Sequence, residues 1–304
     1  MRSIEKVVIV GAGALGAFYA SRFISTGTFS VAVAAEGARG EALRKEGLQV
    51  NGEHFSVDVI SSYQCRGPAD LVIVALKDYQ LADAMPLIRS QVGPETAVLS
   101  VMNGLDSEDE IAAGCGFGQV LYCVAVGIDA VRDENQVTVA NAGRLIFGRA
   151  RNKEEDPLVG NVQLALDQAD LPWETPTDML RMLWWKFMVN VGINQASAIL
   201  RAPYGVFQQS ASAHAVVDTL MREVITLAQA EGINLTEQDL EAWPPVLNAL
   251  SPAGKTSMLQ DVEAGRRTEV DMFAGKVVRL GEECGIPVPA NRMMLDLLHA
   301  LEGR

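Results

Sequence analysis

The first sixteen residues constrain this chain more than any other segment. Val7-Val8-Ile9-Val10 is an apolar run with no polar alternation, the pattern of a strand buried on both faces. It leads directly into Gly11-Ala12-Gly13-Ala14-Leu15-Gly16, and apolar residues then recur at helical spacing to Ile24. The glycines therefore lie between a strand and a helix, the context that gives G-x-G-x-x-G a meaning beyond a flexible turn. Gly11 permits the tight turn, Gly13 lets backbone approach a pyrophosphate, and Gly16 lets helix pack on strand. Ala12, Ala14 and Leu15 complete a turn whose helix N-terminus offers free N–H groups and a positive dipole end to phosphates. A second strand over 30–35 ends at Glu36, twenty residues past Gly16. A carboxylate there suits a ribose hydroxyl.

Further strand patterns fall at 71–75, 97–101 and 120–126, with helical patterns between them at 40–46, 80–88 and 107–113. Such alternation implies right-handed crossovers and a doubly wound, mostly parallel sheet. Segments 136–140 and 144–147 flank Asn141-Ala142-Gly143 and read as a hairpin that closes this sheet. From Pro176 the character changes. Asp178 is a candidate N-cap for a helix over Met179–Leu200, and helical patterns follow at 212–231, 236–250, 270–284 and 290–301. The expected architecture is α/β: a Rossmann-type doubly wound parallel sheet over residues 1–176, then an all-helical substrate domain over 177–304.

Composition narrows the partners. Lys plus Arg number 25 and Asp plus Glu 38, for a net charge of −13. So acidic a chain should not seek nucleic acid or anionic membrane through its overall field. Cys65, Cys115, Cys123 and Cys284 form no C-x-x-C pair, and His54, His214 and His299 are far apart, so no metal site is expected. The thiols read as reduced residues of a cytoplasmic protein. Glu5 and Lys6 interrupt any signal-peptide pattern, and no apolar stretch reaches the roughly 18 residues of a membrane span. The apolar helices of the second half could bury a homodimer interface or only a domain core.

Three polar clusters could carry chemistry. Lys77 and Asn103-Gly104 each follow a core strand directly, at the edge where ligands bind in such sheets. The alternatives are a solvated lysine and a tight turn. Lys186, Asn190 and Asn194 are spaced i, i+4, i+8, so they share one stripe of a helix otherwise lined by Leu183, Trp184, Phe187 and Met188. Polar groups on an apolar helix must find partners or stay wet. The stripe lines a polar cleft, or else the lysine snorkels and the asparagines cap nearby backbone. Residues 255–261 and 265–271 read as a polar loop between helices, and nothing in their composition singles out Ser257 or Glu269.

Together these motifs resemble the ketopantoate reductase (2-dehydropantoate 2-reductase) family across essentially the whole chain. The resemblance rests on G-A-G-A-L-G at 11–16, A-L-K-D-Y-Q at 75–80 and N-G at 103–104. It continues through K-F-M-V-N-V-G-I-N at 186–194, S-M-L-Q-D-V-E-A-G-R-R-T-E-V-D at 257–271 and G-I-P-V-P at 285–289. It implies reduction of the 2-keto group of ketopantoate to D-pantoate by NAD(P)H, on the route to pantothenate and coenzyme A. It implies that Lys186 protonates the developing alkoxide, assisted by Glu269. Asn103, Asn190, Asn194 and Ser257 would hold substrate, while Lys77 and Asn103 would contact cofactor and order the site. The family usually carries arginine where this chain has Glu36, so the resemblance combined with that departure favours NADH without excluding NADPH. Arg39 is close enough to compensate if its loop folds back. Two other readings stay open: a reductase of another branched or aromatic 2-keto acid, and a dinucleotide-binding regulator without turnover.

Overall fold

The computed structural model describes residues 3–61, 67–116, 119–153 and 155–303. Cys65 lies outside them; Cys115, Cys123 and Cys284 carry free thiols. The chain forms two compact units, Met1–Leu180 and Arg181–Arg304.

The first unit runs β1 (Lys6–Val10), α1 (Ala14–Ser25), β2 (Ser30–Ala34), α2 (Gly37–Glu46), β3 (Leu48–Val50), β4 (Glu53–Phe55) and β5 (Asp58–Ile60). It continues through β6 (Leu71–Val74), α3 (Leu81–Gln91), β7 (Ala97–Ser100), α4 (Ser107–Cys115), β8 (Val120–Asp133), β9 (Gln136–Gly148), α5 (Pro157–Gln168) and β10 (Trp173–Glu174). The sheet order is β4-β3-β9-β8-β7-β6-β1-β2-β5, with β10 on β9. From β5 to β8 every pairing is parallel.

The unbroken apolar runs follow from burial on both sides. Val7, Ile9, Leu71 and Ile73 face Phe18, Tyr19 and Phe23 of α1 and Val162 and Leu166 of α5. Val8, Val10, Val72 and Val74 face Leu81 and Ile88 of α3 and Ile111 of α4. Alternate side chains thus enter two separate cores, the arrangement of a doubly wound sheet.

The expected hairpin turn at Asn141-Ala142-Gly143 is not there. β9 runs unbroken across those residues, paired antiparallel with β8, and the chain reverses at Glu134-Asn135 instead. Glu134 takes φ +47° at that reversal. Gly143 instead serves an irregularity within the ladder: its φ is +57°, and a Cβ there would lie 2.3 Å from the Val126 carbonyl oxygen. The pairing shifts register nearby, between Asp129 and Ala130. Turn-forming residues here sit inside a long ribbon rather than end a strand. Residues 48–60, which show no strand periodicity, hold β3, β4 and β5. Asn51-Gly52 joins the first two, with φ of 51° and 82°, as a primed hairpin turn requires.

The second unit is helical: α6 (Met179–Leu200), α7 (Tyr204–Gln209), α8 (Ala211–Ala230), α9 (Glu237–Glu241), α10 (Trp243–Asn248), α11 (Ser257–Glu263), α12 (Ala274–Cys284) and α13 (Pro289–Leu301). The pattern at 236–250 is two short helices, because Pro244 and Pro245 begin a new one. The segment 255–261, expected as a loop, contains most of α11. The Thr256 hydroxyl accepts the Leu259 N–H at 3.1 Å, and Met258 and Leu259 bury an apolar face. Among the described residues no helix is long and apolar enough to cross a membrane, and no cluster of His, Cys, Asp or Glu could hold a metal ion.

Candidate active site

The carboxyl ends of three adjacent parallel strands lie side by side. At the end of β1, Gly11 turns with φ +98°, and a Cβ there would meet the Ala75 carbonyl at 2.5 Å. A Cβ on Gly16 would fall 1.9 Å from the Gly11 carbonyl oxygen, so helix and turn touch as the motif requires. At Gly13, by contrast, a Cβ would find nothing within 4 Å. Gly13 is also the N-cap of α1 and offers no side-chain cap to its first N–H groups. Open space above an uncapped helix N-terminus fits a dinucleotide diphosphate.

The neighbouring strand ends supply the polar groups. Ala75 N–H bonds to the Val10 carbonyl and Val101 N–H to the Val74 carbonyl, so the segments past β6 and β7 continue beside the glycine turn. Lys77 then caps a 3₁₀ turn over Asp78–Gln80, its N–H donating to Gln80 Oε1 at 3.0 Å. Asn103 follows β7, with Gly104 at φ +98°. Both side chains are half-buried. Past β2, Glu36 is exposed at the N-cap of α2 and caps nothing with its side chain. Arg39, in the first turn of α2, does fold back: its Nη2 donates to the Ala12 carbonyl oxygen at 2.9 Å.

In the second unit, α6 is buried on nearly all sides, and its polar stripe goes inward with the rest. Asn190 and Asn194 are each 5 % exposed. Lys186 is half-buried, and desolvation pulls its pKa from 10.5 down to about 8. Glu269, 5 % exposed, lies before α12, and its carbonyl accepts the N–H groups of Met272 and Phe273. The Phe187 and Phe273 rings sit 6.3 Å apart, which joins the segment after Lys186 to the segment after Glu269. Ser257, the first residue of α11, is exposed.

Family comparison decides what this arrangement belongs to. Residues 7–152 match the model "Ketopantoate reductase PanE/ApbA", and residues 178–302 match its C-terminal counterpart. The chain belongs to the ketopantoate reductase family. A 2-dehydropantoate 2-reductase of Archaeoglobus fulgidus is 30% identical over 303 residues, covering 98% of each chain. The crystal structure of 2-dehydropantoate 2-reductase from Geobacter metallireducens GS-15 superposes with a TM-score of 0.86 at 28% identity, over 97% of this chain and 99% of that one. D-mandelate dehydrogenase with NADH and anilino(oxo)acetate shares the fold, with TM-score 0.88 and 23% identity over 98% of each chain.

This ketopantoate reductase relative holds two groups that the motifs did not reveal. Arg132, near the end of β8, approaches the Ala12 carbonyl oxygen with Nη1 at 3.5 Å. Only the pairing of β8 with β9 brings it there, and no sequence signal marks it. Glu108 is buried under β7 and β8, where it accepts the Ser107 hydroxyl at 2.9 Å and the Cys123 N–H at 3.2 Å. Desolvation raises its pKa to about 7. Charged residues just inside a helix start usually read as dipole partners, so sequence alone points elsewhere for Glu108.

Proposed function

We propose that the chain reduces ketopantoate to D-pantoate with hydride from NAD(P)H, supplying pantothenate and coenzyme A synthesis. The observation that carries the chemistry is the place of Lys186 on one stripe of α6 with the buried Asn190 and Asn194, where desolvation lowers its pKa. A lysine at its ordinary pKa near 10.4 is a reluctant acid at neutral pH. One near 8 stays mostly protonated at pH 7, yet yields its proton more readily to an alkoxide. The reduced nicotinamide, when bound, supplies the hydride. The Lys186 ammonium stabilises the oxyanion by charge and then protonates it, assisted by Glu269. Asn190, Asn194 and Ser257 hold the keto acid through neutral donors. Lys77 and Asn103 contact cofactor, and Gly11 through Gly16 receive its diphosphate. Glu36 accepts from a ribose hydroxyl, which favours NADH. The protein works as a homodimer.

Initial rates with ketopantoate, phenylglyoxylate and 2-ketoisovalerate test the assignment. Ketopantoate should give the highest kcat/KM. A clear preference for another acid would reassign the substrate on the same scaffold. A flat absorbance trace with every acid, alongside measurable cofactor binding, would mean a regulator without turnover.

A further inference from the structure

One buried carboxylate of the first unit has no part in the chemistry proposed above. Glu108 is 3 % exposed, on the face of α4 that also carries the core residues Ile111 and Ala112. An apolar residue there would pack with them, whereas an ionised carboxylate is costly to bury. Both of its oxygens are engaged. Oε1 accepts the Cys123 N–H of β8 at 3.2 Å, and Oε2 accepts the Ser107 hydroxyl at 2.9 Å. Ser107 Oγ lies 2.7 Å from Ser100 Oγ at the end of β7, and the Met102 N–H donates to Ser100 Oγ at 3.4 Å. Ser100 and Ser107 are buried as well.

The carboxylate gives this chain of bonds a direction. An ionised carboxylate only accepts, so Ser107 donates to Glu108. The Ser107 hydrogen is then committed, so Ser100 donates to Ser107 and keeps a lone pair for the Met102 N–H. The bonds run from Met102 through Ser100 and Ser107 to a charge that is tied to β8, and a charged acceptor strengthens such a series. What they enclose is the loop 101–106. Ser100 ends β7, Ser107 begins α4, and Asn103-Gly104 stands between them. The near end of the loop is also held to β6, through the Val101 N–H on the Val74 carbonyl. We propose that Glu108, acting through Ser107 and Ser100, is a positioning residue that holds the loop 101–106 in the shape that presents Asn103 to the cofactor. The proposal rests on the reading of Asn103 as a cofactor contact. Glu108 acts through hydrogen bonds and takes no part in hydride or proton transfer.

Two variants break the series at different links. Glutamine keeps the shape of Glu108 but has one acceptor oxygen and one donor nitrogen. With its oxygen on the Cys123 N–H it must donate to Ser107, which reverses the series and takes the Ser100 hydrogen from its acceptor. S100A removes the acceptor of the Met102 N–H and leaves the Ser107–Glu108 bond in place. NADH is titrated by nicotinamide fluorescence, without any keto acid and at pH 8, where Glu108 is ionised. The proteins are the wild-type chain, E108Q, S100A, N103A and the double variants E108Q/N103A and S100A/N103A. E108Q and S100A should each raise the Kd about fivefold, the worth of one net hydrogen bond. In the N103A background the same changes should raise it less than about twofold, because groups that act through one residue are not additive. A full rise in that background would make the effect a general loosening of the unit and overturn the proposal. Should E108Q fail to fold, S100A carries the same comparison. N103A weakened, with E108Q and S100A binding as the wild type does, would overturn the proposal and leave Asn103 as a cofactor contact. N103A binding NADH as the wild type does would overturn that contact and the proposal with it.

Discussion

For single residues, burial sets the chemistry. Lys186 and Glu108 are both shifted by desolvation, in opposite senses because one is charged when protonated and the other when not. A Lys186 proton donor is lost as pH rises through about 8, so kcat should fall across that range in a pH–rate profile. Lys186→Ala should lower kcat by roughly 10²-fold or more and flatten that limb; an unchanged kcat would rule out the role. Glu108 binds its proton more tightly folded than unfolded, so between about pH 4.5 and 7 the native state holds more protons. Its contribution to stability is complete at the acid end of that window and lost as pH rises through it. Glu108→Gln should therefore gain on the wild type by about 3 kcal/mol between pH 4.5 and 8, read from urea unfolding at both pH values. Of these two groups, sequence pointed only to Lys186, because its stripe repeats at helical spacing. The burial of Glu108 depends on β8 crossing above it, which no local pattern encodes.

Among the elements, local capping and long-range pairing divide the outcome. α11 exists because Thr256 caps it and Met258 and Leu259 bury one face. Thr256→Ala should cost about 1 kcal/mol in chemical denaturation, and should raise the KM for the keto acid more than it lowers kcat, since Ser257 is the first residue of that helix. A KM that stays put would separate α11 from the substrate. Parallel strands and α6 were legible because an apolar run and a stripe at i, i+4, i+8 are properties of residues close together in the chain. The β8–β9 ribbon was not. Asn141-Ala142-Gly143 has turn composition, yet a ladder pairing β8 with β9 over nearly their whole length outweighs one local preference. Residues 48–60 were missed for the opposite reason, since strands of three residues are too short to show a period.

In the whole molecule, an excess of negative charge coexists with a locally cationic turn. The net charge of −13 describes the chain as a whole, while Arg39 and Arg132 both reach the Ala12 carbonyl oxygen. Cofactor binding to the native chain should stabilise it by about 2.7 kcal/mol at 100 times Kd, measured as a shift of the urea midpoint with NADH. Gly13→Ala should fold as the wild type does, because its Cβ meets nothing within 4 Å, yet lose that shift by filling the space above the turn. A retained shift would place the cofactor elsewhere. Sequence by itself determined the alternation of strand and helix, the glycine turn between β1 and α1 and the polar stripe of α6, all of them set by residues close together in the chain. Tertiary structure alone decided that Arg132 reaches Ala12 from 120 positions away, that Glu108 lies under Cys123, and that the ribbon turns at Glu134. Contacts of that kind depend on the register of paired strands, which is settled by packing across the whole sheet.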